Sequence, residues 1–217
     1  MKSITLDIKT ENVEVYANSD TASICEYEWH IHIPILSAFS VEYFVLQYGP
    51  FSSFSESTSL SIQGNKIIAE SQFASLEELG QECVAILHHH GIRDYSLLFP
   101  WVENVDLRER IGRFYEEAEK SFEQGSWLSF ALMCGGVFEG MLYAKLNMPQ
   151  NNNFYAMIEA AYEDREIINL QQKGIMDDVR NARNLIHASR FKQDYMSRKK
   201  AMDIMTTMSK LIKRFSY

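Results

Sequence analysis

Asp106–Leu146 reads DLRERIGRFYEEAEKSFEQGSWLSFALMCGGVFEGMLYAKL. From about Asp106 the apolar residues recur at helical spacing and continue so to the end of the chain. Asp106 to Gln124 predicts a charge-rich helix that Gly125 ends, and Ser126 is placed to cap a second, more apolar helix running to about Leu146. Gly135, Gly136 and Gly140 lie inside that second helix. No GxxxxGK[ST] pattern follows, so these small residues are read as allowing close helix packing rather than as a phosphate loop.

Pro149 and Asn151 to Asn153 make a break, and Phe154 to Tyr162 predicts a shorter helix. A fourth helix is expected from about Asn169 to His187, and a fifth from Tyr195 to Phe215. In the fifth, Met202, Met205, Met208, Leu211 and Ile212 supply the apolar spacing. Five helices joined by short connections predict a compact antiparallel bundle over 104–217.

Upstream the pattern differs. Ser3–Lys9, Val13–Ala17, Cys25–Ile35 and Phe39–Tyr48 are short runs rich in β-branched or aromatic residues, several alternating with period two. Gly49-Pro50 and the Ser-rich Phe51–Ser59 read as turn and loop. Leu60–Ile62 and Lys66–Phe73 predict a hairpin across Gln63-Gly64-Asn65. Ser75–His90 reads as a helix with Leu76, Leu79, Cys83, Ile86 and Leu87 on one side, a capping box at Ser75 and Glu78, and a stop at Gly91. Asp94–Phe99 reads as a last strand. The expected class is therefore α+β: an antiparallel-sheet domain with a helix over 1–103, then the helical domain.

The chain has 217 residues, is 46% hydrophobic and 23% charged, and carries a net charge of −8. Such a composition fits a globular protein with a buried core and argues against indiscriminate nucleic-acid binding. The total conceals an asymmetry: from Gln171 onward eleven Lys and Arg face four Asp, leaving +7 there and −15 in the remainder. A split of this size points to a polyanionic partner or to attraction between the two parts. Cys25, Cys83 and Cys134 are far apart and form no CxxC pair, so reduced thiols are expected. No leading segment resembles a signal peptide, and no run of ~18 apolar residues is seen that would span a bilayer. A cytoplasmic protein without membrane association is the expectation.

Arg180-Asn181-Ala182-Arg183-Asn184-Leu185-Ile186-His187 carries the densest chemistry. On a helix, Arg180 and His187 lie within about 20° of each other, with Arg183 and Asn184 on either side. Ile175, Val179, Ala182 and Ile186 then form a separate apolar stripe. A guanidinium holds a phosphate well, and an imidazole moves a proton near neutral pH. Asn181 lies about 120° from His187, so Asn184 is the nearer amide.

The Arg180-Asn181 start, the six residues between Arg180 and His187, and the placement before a final long helix resemble the HEPN superfamily. The helix bearing Cys134-Gly135-Gly136-Val137-Phe138-Glu139-Gly140, followed by a short helix, agrees with it. The resemblance covers roughly Asp106–Tyr217. It implies a metal-independent, cofactor-free endoribonuclease, in some settings a toxin or defence effector, whose paired Arg/His faces line a cleft between two copies. His187 would be the general acid/base and Arg180 the phosphate holder, with Asn181, Arg183, Asn184 and Glu139 in support. Many members of the family lack nuclease activity, so a non-catalytic dimerising or ligand-binding protein is the alternative. RNA and a second copy are the partners implied; the N-terminal domain would take a regulatory protein or ligand.

Other candidates have plainer readings. Glu139, in an apolar helix, needs a cationic partner, and Arg180 or Arg183 suits it; Asp177 and Asp178 are the competing acids. Arg190, Lys192, Arg198, Lys199 and Lys200 are placed to meet RNA phosphates or simply to be solvated. Glu28, His30 and His32 share a strand face but read as surface decoration rather than as a metal trio. His88-His89-His90 is read as favourable charge at a helix end.

Overall fold

The computed structural model describes residues 1–19, 23, 25–48, 52–55, 61–79, 83–147, 153–163, 167–190 and 192–216. The chain forms two compact units, Met1–Asp94 and Tyr95–Tyr217. The division falls nine residues before the boundary expected at 103/104. Tyr95–Leu98 is a 3-10 turn that packs on the first helix, with Ser96 N 2.8 Å from where a Cβ on Gly112 would sit. The strand expected at Asp94–Phe99 is therefore absent from that stretch.

In the first unit the described strands are β1 (Lys2–Ile8), β2 (Val13–Ala17), β3 (Tyr27–His32), β4 (Phe39–Tyr48), β5 (Ser52–Ser55), β6 (Ser61–Gln63), β7 (Lys66–Ser71) and β8 (Cys83–Ile92). They build two four-stranded antiparallel sheets, ordered β1-β8-β4-β5 and β2-β3-β7-β6. Alternation sets which side is buried. Leu6 pairs with Ala85, and Phe44 with Leu87 in the first sheet. Trp29 pairs with Ala69, and Ile31 with Ile67 in the second; all eight of these side chains are buried. The indole of Trp29 donates to Phe73 O at 2.8 Å, so its polar edge is satisfied.

Two sequence expectations fail in this unit. Among the described residues of Ser75–His90 there is no α-helix: Glu77–Leu79 makes a 3-10 turn, and Cys83–Ile92 is the strand between β1 and β4. Apolar residues fall on both of its faces, so periods of two and 3.6 fit almost equally; pairing on both edges favours the strand. Half of the expected capping box forms, since Ser75 Oγ accepts from Glu78 N, whereas Glu78 Oε2 accepts from Ala74 N in place of Ser75 N. Ser52–Ser55, expected as loop, is a strand paired to the end of β4. The turn expected at Gly49-Pro50 lies outside the described residues. The β6–β7 hairpin forms as expected, with Gly64 at φ +60.

The second unit holds α1 (Val105–Glu123), α2 (Trp127–Lys145), α3 (Phe154–Glu163), α4 (Leu170–Ala182) and α5 (Arg198–Ser216). Asn104 caps α1 by accepting from Leu107 N, and Gly125 ends it at φ +71. Ser126 precedes α2, yet its hydroxyl makes no capping bond. The break expected at Pro149 and Asn151 lies outside the described residues.

The glycines of α2 act in packing. A Cβ on Gly140 would lie 2.5 Å from Ile111 Cγ1, and one on Gly136 2.7 Å from the Phe114 ring. These glycines thus let α1 approach closely. Phe130, Phe138, Met157, Ile158, Met176, Ile204, Met208 and Leu211 fill the core. In α5 the buried stripe is Ala201, Ile204, Met208, Leu211 and Phe215, whereas Met202, expected inside, is half exposed.

Counted by consecutive apolar residues, no membrane-length run is visible in the sequence. Yet α2 is long and apolar enough to cross a membrane by length and composition, and half of that window is buried within the protein. The mixed α+β class, sheets first and five helices after, stands as expected.

Candidate functional site

The candidate residues gather where α4 lies along α2 and α3. A Cβ on Gly135 would meet Val179 Cγ1 at 3.4 Å, and four residues on Arg183 Nη2 bonds Glu139 Oε2 at 2.9 Å. α4 therefore follows α2 in parallel register at this end. Against α3 the register is antiparallel. Lys173 Nζ bonds Glu159 at 2.6 Å, Arg180 Cζ lies 5.0 Å from the Tyr155 ring centroid, and Arg183 Cζ lies 5.9 Å from that of Phe154. The Lys173–Glu159 hydrogen bond stabilises the ammonium and raises its pKa above the usual lysine value, with burial opposing it.

α4 starts at a reciprocal capping box between Asn169 and Gln172. It ends sooner than expected. Ala182 is its last residue; Arg183–Ile186 tightens into a 3-10 turn, and His187 is extended at φ −82, ψ 120. The apolar stripe explains the stop. Val179 and Ala182 are buried, but Ile186, expected as the next buried residue, is 58% exposed. With no core contact to reward another turn, the low helix propensity of Asn184 and Ile186 prevails.

The Arg180/His187 face therefore does not arise from one continuous helix. Arg180 is half-buried, its Nε on Asp177 Oδ1 at 3.3 Å; its two Nη groups have no hydrogen-bond partner among the described residues. His187 is exposed between two short 3-10 turns, and its imidazole makes no hydrogen bond or ion pair among them. Arg183 is the partner that Glu139 needed, while Asp178 takes Lys200 at 3.8 Å. Asn181 and Asn184 are exposed and join none of these contacts.

Arg190, Lys192, Arg198, Lys199 and Lys200 are all exposed, and so is Tyr195, at 66%. With Arg183 they make the segment around the end of α4 and the start of α5 cationic, opposed locally by Asp194.

The histidines of the first unit do other things. His30 Nε2 bonds Glu28 at 2.6 Å and its ring packs on Tyr16, while His32 is exposed; no group of three His, Cys, Asp or Glu fit for a metal occurs among the described residues. His88–His90 lie on β8, not at a helix end as expected. His88 stacks on Tyr43 at 4.2 Å, His89 meets the edge of Phe39, and His90 pairs with Glu42 at 3.2 Å. Successive strand residues point to opposite faces, which sets His89 apart from His88 and His90.

Sequence reasoning did not single out Phe154 and Tyr155. Tyr155 stands off the buried stripe of α3 (Phe154, Met157, Ile158 and Ala161), which the helical period shows, but the arginine it faces depends on how α3 docks. No family model matches this chain, and comparison with curated proteins and with solved structures likewise finds no match.

Proposed function

We propose that the protein is a metal-independent endoribonuclease acting through Arg180 and His187. The observation that carries this reading is a half-free Arg180 guanidinium and an unengaged His187 imidazole, both on the cationic segment around the end of α4. In the reaction the ribose 2′-oxygen attacks the adjacent phosphorus while His187 takes the 2′-OH proton. The phosphorus to 5′-oxygen bond breaks, and the proton ends on the departing 5′-oxygen. A 2′,3′-cyclic phosphate and a 5′-OH result. Arg180 holds the non-bridging oxygens and offsets the charge that gathers on them. DNA is inert because it lacks the nucleophile.

This chemistry needs no metal or cofactor. The resemblance at Arg180–His187 to the HEPN superfamily supports it, as does the charge asymmetry, and a role as toxin or defence effector in the cytoplasm would follow. Incubation with mixed RNA in EDTA, beside Arg180→Ala and His187→Ala, is the test. Cleavage by wild type that both substitutions abolish is expected. Equal cleavage by all three, or none by any, overturns the reading.

A second reading rests on one observation: Ile186, at the end of the α4 segment, is 58% exposed. Here the helical unit pairs with a second copy through this surface without cleaving RNA. Ile186→Glu would then dissociate a dimer seen by sedimentation, and RNA would survive the wild-type protein.

A further inference from the structure

Tyr155 is 49% exposed, and the Arg180 guanidinium lies 5.0 Å from its ring centroid. No hydrogen bond engages its hydroxyl among the described residues, and the neighbouring positions Phe154, Met157 and Ile158 supply the core contacts of α3. So the ring is not needed to fill the bundle. It is held at a fixed place by the turn below, since Asn153 caps α3 through Ala156 N at 2.9 Å, and by the Lys173–Glu159 tie further along.

An exposed aromatic ring beside a cation with unused donors is the arrangement by which proteins hold single-stranded nucleic acid. The ring stacks a base, the cation holds the phosphate, and no sequence needs to be read. A second cation stands close by: Arg183 is exposed, with its Cζ 5.9 Å from the ring centroid of the adjacent Phe154. Glu139, Asp177 and Glu159 are acids near the site, and Glu159 is tied to Lys173. Glu139 and Asp177 are each bonded to an arginine, so none of the three presents a free negative charge to a phosphate.

We propose that Tyr155 and Arg180 form a base-and-phosphate subsite for single-stranded RNA, with the base stacked on Tyr155 and the adjoining phosphate on the Arg180 Nη donors. The subsite rests on the ribonuclease reading, and it assigns to α3 a part in placing the nucleotide whose 2′-OH reacts. A duplex, whose bases are stacked inside, is a poor ligand for it.

Binding of a fluorescent single-stranded RNA oligonucleotide tests this, measured in EDTA on the His187→Ala protein across a salt series. Tyr155→Ala is expected to weaken binding roughly 5- to 150-fold, the range for loss of one stacked base, with the salt slope unchanged. Tyr155→Phe keeps the ring and retains binding. Arg180→Ala lowers the slope by about one phosphate contact. Unaltered binding by Tyr155→Ala, or equal loss in Tyr155→Phe, overturns the subsite while leaving the nuclease reading intact. Cleavage that persists at wild-type rate in His187→Ala, with Tyr155→Ala still impaired, overturns the nuclease reading and leaves the subsite. If the parent binds no RNA, both fall.

Discussion

Replacing Gly140 by alanine opposes two effects whose sizes the structure separates. Alanine is the better helix former, by about 0.5–1 kcal/mol at an interior position. The added methyl, however, would sit 2.5 Å from Ile111 Cγ1 and 2.9 Å from its Cδ1, where no Cβ fits. Ile111 is 1% exposed and sits in filled core, so it cannot swing into solvent to make room. Overpacking of this kind costs about 1–3 kcal/mol, and it outweighs the propensity gain.

A net loss of about 1–2 kcal/mol is expected for Gly140→Ala. Gly174 supplies the control, because it lies in α4 with nothing within 4 Å of its would-be Cβ. Gly174→Ala is therefore expected to gain about 0.5–1 kcal/mol. Urea denaturation followed by far-UV circular dichroism reads the helical transition and compares the two. In an Ile111→Ala background both clashing atoms are gone, and Gly140→Ala should turn stabilising. If Gly140→Ala raises stability in the wild-type protein as Gly174→Ala does, the close approach of α1 and α2 is not what the glycine provides.

Other expectations are simpler to check. Asn169→Ala removes the side-chain half of the reciprocal cap on α4, the bond that Asn169 Oδ1 accepts from Gln172 N, and should lower the urea midpoint, at a cost of about 1 kcal/mol. Glu139→Gln removes an ion pair with Arg183 that is about half exposed, so stability should fall by less than about 1 kcal/mol, while affinity for single-stranded RNA should rise as the charge of Arg183 is no longer offset. Burial pushes the Cys83 thiol up to about 11, so at pH 8 it holds little thiolate. Alkylation of the native protein should label the half-exposed Cys25 first and reach Cys83 only on unfolding; fast labelling of Cys83 at that pH contradicts its burial.

The helical half was legible because its punctuation is local. Gly125 stops α1, Asn169 with Gln172 starts α4, and each acts within one turn of its own sequence. The hairpin at Gly64 was legible for the same reason. β8 was not, because Cys-Val-Ala-Ile-Leu puts apolar groups on every side, and only the two flanking strands decide between helix and strand. The ends of helices show the same limit: Ile186 fits the stripe of α4 by number, yet nothing packs against it. Of the site, the Glu139–Arg pairing followed from the cost of a lone carboxylate, whereas Tyr155 depended on how α3 docks against α4.

The shortened α4 alters what the Arg180/His187 pair must do. Seven α-helical steps would bring the two within about 20° of each other. Ending the helix at Ala182 and continuing at the 3-10 angle of about 120° per residue moves His187 to roughly 80° from Arg180, before its extended backbone displaces it further. Register alone therefore does not join them, and the long arginine side chain must reach across. Their exposure matters as much, since in high dielectric a guanidinium does little for a phosphate's growing charge. Catalysis at this surface requires that water be displaced from it when RNA is bound. A base stacked on Tyr155 begins that displacement next to Arg180, and a second copy laid over the exposed Ile186 would complete it. Under the nuclease reading, the end of α4 must therefore be covered for the site to work.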